Sequence, residues 1–237
     1  MPGIRERARA EHTAEIVRLA RVQVEQDGAA SLSLRAIARD LGMVSSAIYR
    51  YFASRDELLT RLIIDSYDRV GEAVEAADRR VRRRGDFLGR WRAMSHALRE
   101  WAMANPSEYA LLFGTPVPGY AAPQDTIGPA SRYTIVLIGL IEEMQAAGHT
   151  ATDKVPAALR RDYARFRERF AVAAGDAMLM RGMTAWAGVM GAISLELFGH
   201  LHNVIDSPGA LFEAVVELHG RQLFSGTVAS EPPSNRA

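Results

Sequence analysis

The sequence predicts an all-α protein built from two helical domains. Apolar residues recur with a period near 3.6 along almost the whole chain, which is the spacing of amphipathic helices. No stretch combines strict polar and apolar alternation with the β-branched enrichment of a strand. The predicted helices are short near the N-terminus and longer beyond residue 85, so we expect a small first domain and a larger second one.

Composition narrows the classes of protein. With 237 residues, 48% of them hydrophobic and 24% charged, the chain is of ordinary globular composition. Its 29 Lys and Arg balance 28 Asp and Glu, so a nucleic-acid surface could only be a local patch. The lack of cysteine excludes disulfides and cysteine-ligated metal sites, and we expect no metal and no cofactor.

The sequence offers no targeting or membrane segment. The N-terminal residues are too charged for a signal peptide. The longest uncharged run with helical character, residues 182–195, is 14 residues long, whereas a membrane span needs about 20. We therefore expect a cytoplasmic protein that does not span a membrane.

Three helices are predicted before residue 55. The first runs from about Ala10 to Asp27 and is closed by Gly28. The second, LRAIARDL, is capped by Ser33 and followed by a turn at Gly42. The third runs over about residues 45–51 and turns Ala47 and Ile48 inward. Its ends are expected to pack through Met43, Val44 and Phe52.

Longer helices follow. Ser54 is predicted to cap a fourth helix, whose first turn carries Asp56 and Glu57, where the helix dipole favours acidic residues. Further helices are predicted at about residues 86–104, 107–113, 129–147, 156–171, 176–201 and 208–223. The segment rich in Pro and Gly at 115–129 is predicted to be a loop, and residues 225–237 a disordered tail. We assign 10–55 to the first domain and 56–224 to the second.

Two short helices joined by a tight turn, after a longer first helix, are typical of a helix-turn-helix, whose second helix fits the DNA major groove. The third predicted helix carries suitable side chains. Ser45 and Ser46 are small and let the backbone approach base edges, and Arg50 can donate two hydrogen bonds to guanine. The hydroxyls of Tyr49 and Tyr51 can bond phosphates.

Residues 31–63, SLSLRAIARDLGMVSSAIYRYFASRDELLTRLI, resemble the DNA-binding region of the TetR family of one-component bacterial repressors, and the similarity covers about residues 10–65. The shared features are Ile37-Ala38, Leu41-Gly42, Tyr49, Phe52 and a basic residue followed by an acidic pair and leucines. The resemblance implies phosphate contacts from Ser33, Tyr49, Tyr51 and Arg55, and base contacts from Arg35, Ser45, Ser46 and Arg50. Val44 stands where relatives often have a capping serine, so we expect the third helix to begin one residue late or to be capped by Ser45.

The second domain is similar to a TetR subgroup named for a Trp-His-Gly pattern. Residues 185–201 read AWAGVMGAISLELFGHL, in which Trp186, Gly191 and Glu196 fit the pattern. Met190 occupies the usual histidine position, which removes a polar group from a pocket or a structural bond.

The resemblance also implies a homodimer built from the last two long helices. Small and apolar residues recur at helical spacing there, and two copies would form a four-helix bundle. The predicted interface comprises Gly188, Ala192, Leu195, Gly199, Leu211, Ala214, Val215 and Leu218. The alternative is that the same stripe packs only inside its own subunit.

A set of aromatic and Met residues is predicted to line a pocket for a small apolar or aromatic effector. The set is Trp91, Met94, Trp101, Tyr109, Phe113, Tyr133, Met183, Trp186 and Met190. The alternative is that these residues are plain core.

Three other features have less specific interpretations. The run RRVRRR at residues 79–84 resembles a nucleic-acid tract, but a solvated helix end is favoured. His200 and His202 do not share a face of a helix, so they predict no metal site. Glu196 is either a pocket carboxylate or a surface residue.

We interpret the chain as a DNA-binding transcriptional regulator, a repressor that binds a palindromic operator as a homodimer and is released by its effector. An enzyme is disfavoured because the chain lacks the nucleophile and phosphate-binding motifs GxSxG, HExxH, Walker A and GxGxxG. A third hypothesis is an adaptor that keeps the fold but binds protein, which the pattern of Arg and Tyr on the second and third helices disfavours.

Overall fold

The computed structural model describes residues 3–224 and confirms the all-α prediction, since no β-strand occurs among those residues. The predicted tail at 225–237 lies outside the described residues. Within residues 3–224 the α-helices are α1 Ile4–Asp27, α2 Leu34–Asp40, α3 Ser45–Ile48, α4 Arg55–Arg80, α5 Phe87–Ala104, α6 Pro106–Phe113, α7 Ile127–Ala146, α8 Ala157–Phe170, α9 Asp176–Leu197 and α10 Pro208–Phe224. None of them is long and apolar enough to span a bilayer.

The helices form two compact units. The first comprises the described residues up to Gly71 together with Ala104–Arg132, and the second comprises Glu72–Met103 and the described residues from Tyr133 onward. Helix α4 therefore begins in the first unit and ends in the second. The functional boundary that we place at residue 55 stays a prediction.

An apolar core holds the first four helices of the first unit together. Its fully enclosed members come from each of these helices, and they are Ile16, Ala20, Ile37, Ala38, Ile48, Leu58 and Leu59. Burial of each large aliphatic side chain stabilises the unit by roughly 1.5–3 kcal/mol. This core fixes the position of the short helix α3, which is too short to be stable alone.

Helix α6 and the segment after it belong to the first unit because specific contacts tie them there. Glu108 on α6 accepts a hydrogen bond from Ser66 at 2.7 Å and forms an ion pair with Arg69. In the segment predicted to be a loop, the Tyr120 hydroxyl lies 2.9 Å from the Thr60 hydroxyl. These long-range contacts attach residues 104–132 to helix α4.

In the second unit, helices α9 and α10 pack closely. A Cβ added at Gly188 would clash with the imidazole of His219, so a larger residue at this crossing would displace that ring. The indole of Trp91 on α5 donates to the carbonyl of Val216 on α10 at 2.9 Å. This bond anchors α10 to α5.

A buried ion network holds the C-terminal end of α4 within the second unit. Arg90 is 1% exposed and donates to Asp78 at 2.7 Å and to Glu143 at 2.5 and 3.0 Å. Arg84 donates to the second oxygen of Asp78 at 2.6 Å. The network links α4, α5 and α7, and it pairs every charge that burial would otherwise leave uncompensated.

Three predicted details were wrong. Helix α1 begins at Ile4 and not at Ala10. Helix α9 ends at Leu197, because Gly199 adopts a left-handed φ of 76° that cannot continue the helix. Val44 is 72% exposed and does not pack against the end of α3, because it precedes the first helical turn.

Candidate nucleic-acid interface and effector cavity

The turn between α2 and α3 is closed by local hydrogen bonds. Ser33 caps α2 by accepting from the Ala36 N–H at 3.3 Å, as predicted. At the other end, Gly42 has a left-handed φ of 63°, and the Met43 N–H donates to the Ala38 carbonyl at 2.8 Å. Because a side chain is strained at such a φ, glycine favours this tight reversal.

Helix α3 presents an exposed polar surface. It begins at Ser45, with Val44 at the N-cap and no side-chain cap, so Ser45 does not cap the helix. Ala47 and Ile48 are buried and anchor α3 to the core. The regular helix ends earlier than predicted, although helical-type hydrogen bonds continue to Phe52.

The predicted DNA-contact residues remain accessible on α2, α3 and the residues that flank them. Exposed among them are Arg35, Ser45, Ser46, Tyr49 and Arg50, and partly buried are Ser33, Tyr51 and Arg55. The contacts that these side chains make with DNA stay a prediction.

Arg9 supports the C-terminal end of the α3 region, and sequence reasoning missed it. Its guanidinium donates to the Arg50 carbonyl at 3.1 Å and lies 5.7 Å from the centroid of the Tyr51 ring. His12 stacks on the same ring at 5.9 Å. The signal was the charged segment IRERARAEH, which has high helix propensity and carries Arg9 and His12 toward Tyr51.

Arg55 has a structural role in addition to the predicted phosphate contact. Its guanidinium donates to the carbonyls of Ala29 and Ala30 at 3.0 and 3.1 Å. These bonds tie the first turn of α4 to the 3₁₀ turn Ala29–Ser31.

Replacing Arg55 by alanine is expected to lower the free energy of unfolding by about 1–2 kcal/mol, because two hydrogen bonds from a charged donor are lost. Urea denaturation followed by circular dichroism measures the change. Replacement of the exposed Arg39, which makes no hydrogen bond to a carbonyl outside α2 among the described contacts, serves as the control. An Arg55 variant as stable as the Arg39 variant would contradict the structural role.

A cavity of about 420 Å³ lies in the second unit among α7, α8 and α9. It is lined by aromatic and aliphatic side chains, including Tyr133, Tyr163, Phe166, Met183 and Trp186. A smaller cavity of about 30 Å³ shares Tyr133, Leu137 and Trp186 with it. The larger volume lies within the range of small-molecule sites.

The structure places five of the nine predicted pocket residues in these two linings. They are Trp91, Met94, Tyr133, Met183 and Trp186. Trp101 and Met190 are buried in the second unit but outside both linings. Tyr109 and Phe113 belong to the first unit, where their ring centroids lie 4.9 Å apart.

On α7 the sequence analysis predicted Tyr133 but missed the other residues that line the larger cavity, and it missed the contribution of α8. Leu137 and Ile141 follow Tyr133 at helical spacing, and this periodicity could have identified them. Tyr163 and Phe166 lie on the otherwise charged helix α8. Burial raises the pKa of Tyr163, with smaller contributions from Asp176 and Asp162.

The predicted dimer residues fall into two groups. Ala192 is buried within its own subunit, Gly188 is partly buried against His219, and Gly199 lies in the turn after α9. Leu195 and Leu218 are 43% and 66% exposed. Ala214 is also exposed, and Leu211 and Val215 are partly buried. Exposed apolar side chains therefore remain on both α9 and α10.

The three less specific features have defined surroundings. Glu196 pairs with Arg99 through hydrogen bonds of 2.6 and 2.8 Å. In the RRVRRR run, the exposed Arg79 and Arg80 end α4, and Arg82 and Arg83 are exposed after the helix. His200 and His202 lie in the turn after α9 and not on the helix.

A tightly turned pair of short helices whose second helix exposes its polar side chains is the organisation of helix-turn-helix DNA-binding regulators. The comparisons support this class. Residues 16–62 match the family of bacterial regulatory proteins described as the tetR family. Residues 91–219 match the tetracyclin repressor-like C-terminal domain. The chain belongs to the tetR family, which confirms the predicted resemblance.

Relatives of known sequence or structure agree. The chain is 42% identical over 224 residues to the HTH-type transcriptional regulators Mb1846 of Mycobacterium bovis and Rv1816 of Mycobacterium tuberculosis, covering 91% of this chain and 94% of each relative. The solved structure of SCO4313, described as a regulatory protein, is 36% identical with a TM-score of 0.78, covering 92% of this chain and 98% of that one. A Rhodococcus protein of unknown function shares the fold with a TM-score of 0.69 at 23% identity, over 90% and 95% of the two chains. The protein is a transcriptional regulator with a TetR-type DNA-binding domain.

Proposed function

We propose that the protein is a cytoplasmic repressor that binds a palindromic operator as a homodimer and releases it when an effector occupies the cavity of the second unit. The observation that carries the proposal is the exposure of the polar side chains of α3 on a helix whose apolar side is anchored in the core. A helix of this kind fits the major groove, and two of them in a dimer would read two half-sites.

The DNA contacts follow from exposure and chemistry. Arg50 and Arg35 would donate to base edges, and Ser45 and Ser46 would allow close approach. Val44, exposed at the start of α3, would contact a thymine methyl group. The hydroxyls of Ser33, Tyr49 and Tyr51, with the remaining donors of Arg55, would hold phosphates.

The exposed apolar residues of α9 and α10 support the dimer. Leu195, Ala214 and Leu218 are open to solvent in a single chain. Two copies of the helix pair would cover these side chains in a four-helix bundle. Gly188 and Ala192 would then serve close packing inside each subunit. The proposed interface would contain fewer residues than the sequence predicts.

Helix α4 supports the proposed release. It runs from the first unit, where it begins at Arg55, to Asp78 in the ion network of the second. In the proposed dimer the two α3 helices, which we call the recognition helices, would lie about 34–36 Å apart or a multiple of that distance. A ligand that shifts the C-terminal half of α4 would change this spacing. A ligand that prefers the released state ~100-fold supplies about 2.7 kcal/mol per site.

A mobility-shift assay with the promoter of the adjacent gene tests the DNA-binding proposal. We expect sequence-selective binding that weakens steeply between about 50 and 200 mM salt, because phosphate contacts release counterions. A scrambled duplex of the same length is the control. Absence of selective, salt-dependent binding would favour the adaptor hypothesis.

Replacing Arg50 by alanine is expected to remove about 1–3 kcal/mol of base discrimination at one operator position, because a bidentate donor is lost. Tyr49→Phe, which removes only a hydroxyl, is expected to weaken binding to all sequences alike. Fluorescence anisotropy with single-base operator variants at fixed salt separates the two effects. The reverse pattern would exchange the two assigned roles.

A further inference from the structure

Two buried hydrogen-bond donors lie in the lining of the smaller cavity without a partner. The hydroxyl of Ser95 and the indole N–H of Trp186 make no hydrogen bond within the described residues, and both atoms are shielded from solvent. Ser95 itself is 3% exposed. Burying a donor without an acceptor costs folding free energy, so two such donors beside one cavity need an explanation.

Other side chains of the same types are satisfied by the protein. Within helices, Thr13, Ser131 and Thr184 each donate to the carbonyl four residues earlier, at 2.7–2.9 Å. Ser95, on α5, does not use this common alternative. Trp91 donates to Val216, whereas the N–H of Trp186 has no acceptor. Buried atoms without a partner also occur on Arg69, His149 and His219, but among the described residues only Ser95 and Trp186 combine such an atom with a place in the lining of the two cavities.

The two cavities are neighbours. Tyr133, Leu137 and Trp186 belong to both linings, and the rings of Tyr133 and Trp186 stack at a centroid distance of 6.5 Å. A ligand whose body lies in the larger cavity could therefore extend a small group past this ring pair toward Ser95. The larger cavity supplies apolar contact, and the smaller one supplies the donors.

The charges of the linings select against an ionic ligand. Among the residues that line the two cavities, Asp162 is the one charged side chain, and it is paired with Arg165 at 2.5 Å. No Lys, Arg or His lines either cavity. A carboxylate would therefore be desolvated without a counter-charge.

We propose that the effector is a neutral, flat, apolar molecule with one hydrogen-bond acceptor, such as a ketone or ester carbonyl, which accepts from Ser95 and Trp186. This inference rests on the proposed function, because it assigns the chemistry of the effector that the second unit would bind. It makes Ser95 and Trp186 the residues that determine specificity, and the aromatic and aliphatic walls the source of affinity.

The test compares two probes of nearly equal shape, 2-acetonaphthone and 2-isopropenylnaphthalene, in which a methylene replaces the carbonyl oxygen. Isothermal titration of the full-length protein is expected to show the ketone binding about tenfold more tightly or better, because the hydrocarbon leaves the donors unpaired. The anion 2-naphthoate is expected to bind more weakly than the ketone. Ser95→Ala and Trp186→Phe should each reduce the ratio of ketone to hydrocarbon affinity. Because Trp186 also forms part of the wall of both cavities, its replacement is judged by that ratio and not by the affinity for either probe alone.

A spectroscopic measurement separates a hydrogen bond from a change of cavity shape. The carbonyl stretch of ¹³C-labelled 2-acetonaphthone is expected at lower frequency in the wild-type complex than in the Trp186→Phe complex. Equal affinities of the two probes, a preference that both variants keep, or no binding of either probe would overturn the proposal. Mobility shifts on the same preparation show whether DNA binding survives, so failure of the effector chemistry is distinguishable from failure of the regulator function.

Discussion

Replacing Arg90 by methionine is expected to lower the free energy of unfolding by about 3–5 kcal/mol, the loss typical of a buried charge that loses its partner. Methionine keeps the apolar stem but removes the guanidinium. Asp78, which is 7% exposed, would keep only Arg84. Guanidinium chloride denaturation followed by circular dichroism measures the change.

Arg92→Met is the matched control. Arg92 lies two residues from Arg90 on the same helix and pairs with Glu217 at 2.5 and 2.7 Å, but both side chains are substantially exposed. Because solvent screens exposed pairs, we expect a much smaller loss from this variant. Equal losses from the two variants would contradict the buried network as the anchor of α4.

The same network predicts how the difference in the free energy of unfolding between wild type and Arg90→Met depends on pH. Burial raises the pKa of Asp78, but hydrogen bonds from Arg90 and Arg84 outweigh it and leave the pKa below the ordinary 3.8. A carboxylate with a lowered pKa stabilises the fold above its unfolded pKa, and this contribution is lost as the pH falls through the folded value. The difference between wild type and Arg90→Met should thus be largest near neutral pH and shrink below pH 3.8.

Replacing Leu218 by glutamate is expected to convert the proposed dimer into monomers. Each dimer would bury two unpaired carboxylates at the bundle, and a loss of about 2 kcal/mol per copy weakens association roughly a thousandfold. Sedimentation equilibrium at micromolar concentration measures the mass. The monomer should keep its helical content, because Leu218 is exposed within one chain.

Ile135→Glu is the control for the dimer prediction. Ile135 is also a large exposed apolar residue, at 55%, but it lies on α7 and outside the predicted interface. We expect it to leave the mass unchanged. If Ile135→Glu dissociated the dimer and Leu218→Glu did not, the interface would lie on another face.

Local signals predicted much of the first unit. The Ser33 cap and the left-handed turn at Gly42 were both predicted correctly, because capping and positive φ depend on the type of the residue itself. The end of α9 at Leu197 was missed although Gly199 is a helix terminator, because the apolar spacing continues to residue 201. The apolar spacing and the helix-terminating glycine gave conflicting predictions there, and the helix ends as the glycine indicates.

The contacts between residues far apart in the chain could not be predicted from the sequence. Nothing local indicates that Glu108 pairs with Arg69, or that Tyr120 meets Thr60, and these contacts assign residues 104–132 to the first unit. In the cavity, Trp186 was predicted from its aromatic character, whereas Ser95 was missed. Ser95 is of interest because its buried hydroxyl has no hydrogen-bond partner, and that feature becomes visible only in the packed structure.

The most direct test of the central claim, that two recognition helices read one operator, is selection of bound sequences from a random duplex library by the purified protein. The account predicts a palindrome whose half-sites are centred about 10–10.5 base pairs apart or a multiple of that distance. It also predicts that the Leu218→Glu variant fails to enrich it. Enrichment of a single asymmetric half-site, or of no sequence, would contradict the account.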